Sequence, residues 1–239
     1  MTRRKAILAG ATLLVGVYGF AAGADKESGS SVPFAAASVR LEQNVTDGDS
    51  EVVFEIRGGT EGLAKLTVVS PDGRTVIDFT APGASASLGI RQFRFETPEP
   101  RDVKRLTSAY PEGEYSFAGV TAAGEKLHAK STLSHTLPAT ASFLRPGADA
   151  RGVSGKNLKV AWTPVKNVAA YMIKIEQSKS TLGVNLTSTM PGSVTTFAVP
   201  DGFLRPGTEY QLAIGTVSHS GNISFLETTF TTPANGAKP

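Results

Sequence analysis

The side chains that most often carry catalysis are few and far apart in this sequence. It has 3 histidines, His128, His135 and His219, and no cysteine. No His-Glu-x-x-His, no histidine pair at metal-ligand spacing and no Gly-x-Ser-x-Gly occurs. The zinc-hydrolase and serine-esterase signatures are therefore missing. Without a thiol there is neither a disulfide nor a thiolate site. Asp47-Gly48-Asp49 places two carboxylates at alternate positions, as a calcium loop would, but a polar hairpin turn has the same composition. Ser70-Pro71-Asp72-Gly73 also has turn chemistry. A turn is expected at both places. Glycoside hydrolysis needs two opposed carboxylates, and nothing singles out two of the 21 acidic residues. The chain is expected to be non-enzymatic, with no metal and no cofactor.

Binding chemistry is better represented. Arg91, Arg94, Arg101, Lys104 and Arg105 outnumber Glu96, Glu99 and Asp102 in one segment that ends at Tyr110. A locally basic surface with an aromatic anchor suits an acidic protein or an envelope polysaccharide. The competing reading is a solvated helical face that pairs its own charges. Carbohydrate platforms need exposed aromatics, and Tyr110, Phe203 and Phe225 are the candidates. The "SHSGN" loop at 218–222 has turn composition and is expected to be no more than a turn. Three Asn-x-Ser/Thr sites occur at Asn44, Asn185 and Asn222, and the Ala-rich leader of bacterial type gives them no role.

Compartment follows from the first residues. Arg3-Arg4-Lys5, an uncharged run from Ala6 to Phe20 and Ala22-Gly23-Ala24 make a cleavable signal peptide over 1–24. The run is shorter than the roughly 20 residues a membrane-spanning helix needs. The two adjacent arginines fit Sec or twin-arginine export. The whole sequence carries a formal charge of +3, all of it in Arg3, Arg4 and Lys5. Cleavage leaves equal numbers of acids and bases, hence no global field to attract nucleic acid or anionic lipid. An exported protein, periplasmic or secreted, with no nucleic-acid or membrane partner is expected.

The elements that must position these groups are strands. Residues 25–36, rich in Ser, Gly and Ala, are expected to be a flexible lead-in. From Val39 the apolar period is mostly two: Val52, Phe54 and Ile56 alternate with Val53, Glu55 and Arg57. Pro71-Asp72-Gly73 and Ala123-Gly124 close hairpins. Between them, Val103, Leu106 and Tyr110 fall at helical spacing, with acids before and bases after and Pro98, Pro100 and Pro111 at the sides. That pattern predicts a short helix crossing the open end of a sandwich. Residues 37–138 read as one all-β domain. Small residues around Pro138 mark a boundary, and 139–234 read as a second, with seven short strand candidates. Residues 235–239 are expected to be a disordered tail.

The stretch "GFLRPGTEYQLAIGTVS", 202–218, admits a binding loop or a structural corner. Tyr210, Leu212 and Ile214 share one face, and Pro206-Gly207 turns the chain between Leu204 and Tyr210. A tyrosine there can bury its ring and return its hydroxyl to the upstream backbone, the tyrosine corner of Greek-key sandwiches. Trp162 ends an earlier strand and Tyr171 follows nine residues on. With Leu204, Pro206, Gly207, Thr208 and Tyr210, these residues make 139–233 resemble the fibronectin type III family. The resemblance implies a β-sandwich and a binding or spacer module, with Trp162, Tyr171, Leu204, Pro206, Gly207 and Tyr210 structural. The integrin-binding loop of that family reads "SHSGNIS" here and lacks Arg-Gly-Asp, so adhesion of that kind is not implied. "YPEGEYSFAGVTAAGEKL" resembles the late hairpin of Ig-like or carboxypeptidase-regulatory-like sandwiches. The expected whole is an all-β chain of two tandem sandwiches. It would serve as a binding or scaffolding module of the bacterial cell envelope, with polysaccharide binding, then hydrolysis, as alternatives.

Overall fold

A computed structural model describes residues 31–100, 102–178 and 183–234. The signal segment 1–24 and the tail 235–239 lie outside the described residues, as does Arg101. Strands β1 (Val32–Pro33), β2 (Ala36–Asn44), β3 (Asp49–Arg57), β4 (Leu63–Val69), β5 (Thr75–Thr80) and β6 (Gln92–Glu96) come first. Helix α1 (Val103–Ala109) precedes β7 (Gly113–Thr121) and β8 (Lys126–Leu133). The order β1-β8-β7-β4-β5 forms one sheet, and β2-β3-β6 faces it. Period-two alternation sends Val39, Leu41, Val52, Phe54 and Ile56 inward against Leu66, Val68, Tyr115 and Phe117. Asp102 caps α1 by accepting the Lys104 N–H at 3.0 Å. Leu106 plugs the core as the helix passes from β6 to β7, the crossover that its spacing predicts.

The lead-in differs from expectation. Val32 and Pro33 pair in parallel with Leu127 and His128, and Phe34 is buried in the core. The cause is a slot above Gly119, where a Cβ would stand 2.8 Å from the Phe34 ring. Burying one aromatic ring offsets the entropy of ordering the few residues around it. Residues 25–30 of the same segment lie outside the described residues.

The second sandwich holds β9 (Phe143–Arg145), β10 (Lys159–Trp162), β11 (Ala170–Gln177), β12 (Asn185–Pro191), β13 (Thr196–Ala198), β14 (Glu209–Val217) and β15 (Ile223–Thr231). All seven strand candidates of this half are present. The order β13-β10-β9 faces β12-β11-β14-β15. Trp162, Tyr171, Ile173, Ile175, Tyr210, Leu212 and Ile214 form its core.

The two sandwiches are also joined. Ile223, Ser224 and Phe225 of β15 pair in parallel with Glu42, Gln43 and Asn44 of β2. One sheet of seven strands, β12-β11-β14-β15-β2-β3-β6, therefore runs through both halves. Among the described residues, no helix is long and apolar enough to cross a membrane.

Candidate binding surfaces

The 202–218 stretch is a corner. The Arg205 N–H donates to Tyr210 Oη at 2.7 Å, and the ring is fully buried and stacked on Phe230. Tyr171 does the same work on β11, the neighbouring strand of the same sheet, with Val165 N–H donating to its Oη at 2.6 Å. Its ring meets Trp162 edge-on at 5.4 Å. Tyr115 makes a third such link, donating from Oη to the Pro111 carbonyl at 3.0 Å. Burial, then the Asp72 charge, push its phenol up to about 12. These rings tie crossovers to cores and are unavailable to a ligand.

The "SHSGN" turn is the joint between the sandwiches. Asn222 is buried. Its Oδ1 accepts the Leu41 N–H at 2.9 Å, and its Nδ2 donates to the carbonyls of Ser134 at 2.7 Å and Thr136 at 2.9 Å. Ser224 Oγ donates to the Pro138 carbonyl at 2.7 Å and accepts from Gln43 Nε2, also at 2.7 Å. Thr46 Oγ1 accepts the Glu227 N–H at 2.8 Å. One amide side chain thus satisfies β2 and the segment between β8 and β9 together. Asn185 is exposed, whereas the Asn222 amide is fully engaged by backbone.

The outer face of the joined sheet carries the strongest electrostatics. The alternation that points Leu41 and Phe54 inward points Arg40, Glu42 and Glu55 outward. Arg40 bonds Glu42 at 2.7 Å and Glu55 at 2.8 Å. Arg94 bonds Glu55 at 3.1 Å and also Glu96. Burial pushes the Glu55 carboxyl up, but hydrogen bonds and charge from Arg40 and Arg94 outweigh it and hold it below its ordinary value. For Arg94, burial is likewise outweighed by Glu96, Glu42 and Glu55, and its pKa is raised. Glu51 has no such help. Burial, then Glu96, Glu42 and Glu99, push it up to about 7 against the opposing charge of Arg94.

Beside this network lies a small apolar cluster on the solvent side of the sheet: Ala213, Ile223 and Phe225, with Met172 and Val217 against them. Lys174 Nζ sits 4.3 Å from the Phe225 ring centroid, a cation–π contact. Gly215 makes room for that ring, since a Cβ there would meet Phe225 at 2.6 Å.

The basic segment is divided by the fold. Arg94 lies among the glutamates of the outer face. Arg91 is exposed before β6, and Lys104 and Arg105 are exposed on α1. Tyr110 is half-buried and packs on Phe54, ring centroids 6.0 Å apart, so it is not a free anchor. Phe203 packs on the second core, and Phe225 is buried at the cluster just described. None of the three aromatics stands out as a platform. Asp47-Gly48-Asp49 closes the β2–β3 hairpin, with the Gly48 N–H donating to the Asn44 carbonyl at 2.9 Å. Among the described residues, no three His, Asp or Glu side chains are grouped to hold a metal ion. The roles of Asn222, Glu51 and Phe225 escaped sequence reasoning. Only the outward phase of Arg40 and Glu42 against Glu51 and Glu55 was there to be read.

No family model and no curated protein matches this chain. Solved structures to which it is similar are fibronectin type III domains. A two-domain segment of chicken tenascin is 17% identical over 84% of this chain and 97% of that one, with a TM-score of 0.32. The fibronectin(III)-like modules of Clostridium thermocellum CbhA are 9% identical over 89% of this chain and 95% of that one, with a TM-score of 0.35. Domains FN1–FN3 of chicken CNTN1 are 15% identical over 85% and 68%, with a TM-score of 0.31. The chain itself supplies the matching fold: three strands packed on four, a buried Trp162 against Tyr171, and a tyrosine corner at Tyr210 make the second sandwich fibronectin type III-like.

Proposed function

We propose that this chain is an exported, non-enzymatic binding or scaffolding module of the bacterial cell envelope, acting as one rigid two-domain unit. The observation that carries the reading is the main-chain pairing of β15 with β2, fixed by Asn222. A flexible tether would leave two independent β-sandwiches. Sheet continuity instead holds their surfaces in one orientation, which is what a spacer or docking platform needs. The basic face of α1, with Lys104 and Arg105, remains available to an acidic partner under this reading. The polysaccharide alternative has less support, because Tyr110, Phe203 and Phe225 are packed.

The test is ¹⁵N relaxation on the purified chain. Amides of both sandwiches should report one overall correlation time. Two distinct times would refute the rigid unit. Capture of a specific protein from envelope extract, competed by unlabelled chain, is expected alongside.

A further inference from the structure

The outer face of the joined sheet is hollowed along the seam. One depression of about 660 Å³ and another of about 260 Å³ share Glu42, Lys174 and Phe225, so they form one groove. It follows β2 and β15, from the Asp47 turn at one end to Ser220 and Gly221 at the other. From Asn44 to Ser38, at roughly 3.3 Å per residue, that is about 20 Å. An extended peptide of about six residues has this length.

The floor of the larger depression is apolar: Met172 and Val217 are half-buried there, packed beside the buried Ile223 and Phe225. The walls are acidic. Asp47, Asp49, Glu51 and Glu99 line one end. Glu55, Glu96 and Glu176 line the other. With Glu42 and Glu227, nine carboxylates face three bases, Arg40, Arg94 and Lys174. The bases are already engaged, the two arginines by Glu42, Glu55 and Glu96 and the lysine by the Phe225 ring. The surplus negative charge is concentrated at the end lined by Asp47, Asp49 and Glu99, although the chain after residue 24 is neutral overall.

We infer that this groove docks an extended, cationic polypeptide segment of a partner, with lysines or arginines along the acidic walls and an apolar side chain over the half-buried Met172 and Val217. Charge complementarity selects the cation, and the floor selects a peptide over a bare ion. Both sandwiches contribute walls, so the groove exists only while β15 stays paired with β2. The inference rests on the rigid-unit reading above, but it has its own readout.

The probe is a fluorescein-labelled hexapeptide alternating lysine and leucine, followed by anisotropy on the purified chain. Two further probes replace lysine by glutamate or leucine by serine. The Lys-Leu peptide should bind, at least fivefold tighter than Lys-Ser, and Glu-Leu should not bind. Raising salt from 50 to 500 mM should weaken binding (~tenfold), as exposed charges are screened. Asp49→Asn with Glu51→Gln and Glu99→Gln should cost about tenfold. So should Thr189→Arg, an independent change on the exposed opposite wall. Amide shifts should map to Val217, Ile223 and Phe225.

Binding that ignores both variants, equal binding of Lys-Leu and Lys-Ser, or no binding would overturn the groove. Calcium that binds alone at the Asp49 end and displaces the peptide would replace it with a cation site. A single correlation time with no peptide binding would sink this inference and leave the rigid module standing.

Discussion

At the scale of single residues, hydroxyl and carboxyl groups decide more than their number implies. Tyr210→Phe leaves the Arg205 N–H without its acceptor. The expected loss is about 1 to 3 kcal/mol, the cost of an unpaired backbone donor, read from urea midpoints. Tyr115→Phe should cost less, about 1 kcal/mol, because the orphan is then the Pro111 carbonyl, which other donors can approach. Equal losses would contradict this distinction. Glu51 makes a pH prediction. Its carboxyl is raised from 4.5 to about 7 in the folded chain, so the folded state holds the proton more tightly than the unfolded state. The penalty is absent below pH 4.5, grows between 4.5 and 7, and is complete above 7. Glu51→Gln should therefore stabilise the chain at pH 8 by about 1 kcal/mol, after discounting for partial exposure, and change little at pH 4.5. A gain of the same size at both pH values would mean the charge is not the cause.

At the scale of elements, the sheet seam depends on one side chain and one missing side chain. Asn222→Ala removes an acceptor for Leu41 N–H and two donors to the Ser134 and Thr136 carbonyls. A loss of roughly 2 to 4 kcal/mol is expected, and chemical denaturation measures it. Gly215→Val would drive a methyl into the Phe225 ring and cost about 1 to 3 kcal/mol through overpacking. Strands were legible in the sequence because alternation is local: Tyr210, Leu212 and Ile214 announce their face by spacing alone. The helix at Val103–Ala109 was legible from period and prolines, but the expected charge order is not realised: Lys104 and Arg105 fall in its first turn, and its last turn holds no base. The corner was legible because Tyr210 and Pro206-Gly207 are neighbours. The seam was not. Leu41 and Asn222 are 181 residues apart, and nothing in "SHSGN" distinguishes a buried connector from a turn. The acidic groove was hidden for the same reason, since Glu51 and Glu227 come from different sandwiches. Phe34 was hidden because its slot is the absence of a side chain at Gly119.

At the scale of the whole molecule, length and strand pattern pointed to tandem domains, and the β15–β2 pairing runs one sheet through both halves. If the seam couples them, calorimetry should show a single endotherm, and Tyr210→Phe should lower the melting of both halves. Two separate transitions, with only the second moved, would show that the seam carries little energy. The β15–β2 pairing also bears on what happens when the halves are parted. Each half would then expose a strand whose backbone donors and acceptors no longer meet a neighbour, a template for pairing with other chains. On β15 that exposed rim would carry Ile223 and Phe225, two large apolar side chains. Fragments divided near Pro138 should therefore self-associate or swap strands as protein concentration rises, while the intact chain stays monomeric. The seam would be, in effect, the protein's own cap against aggregation.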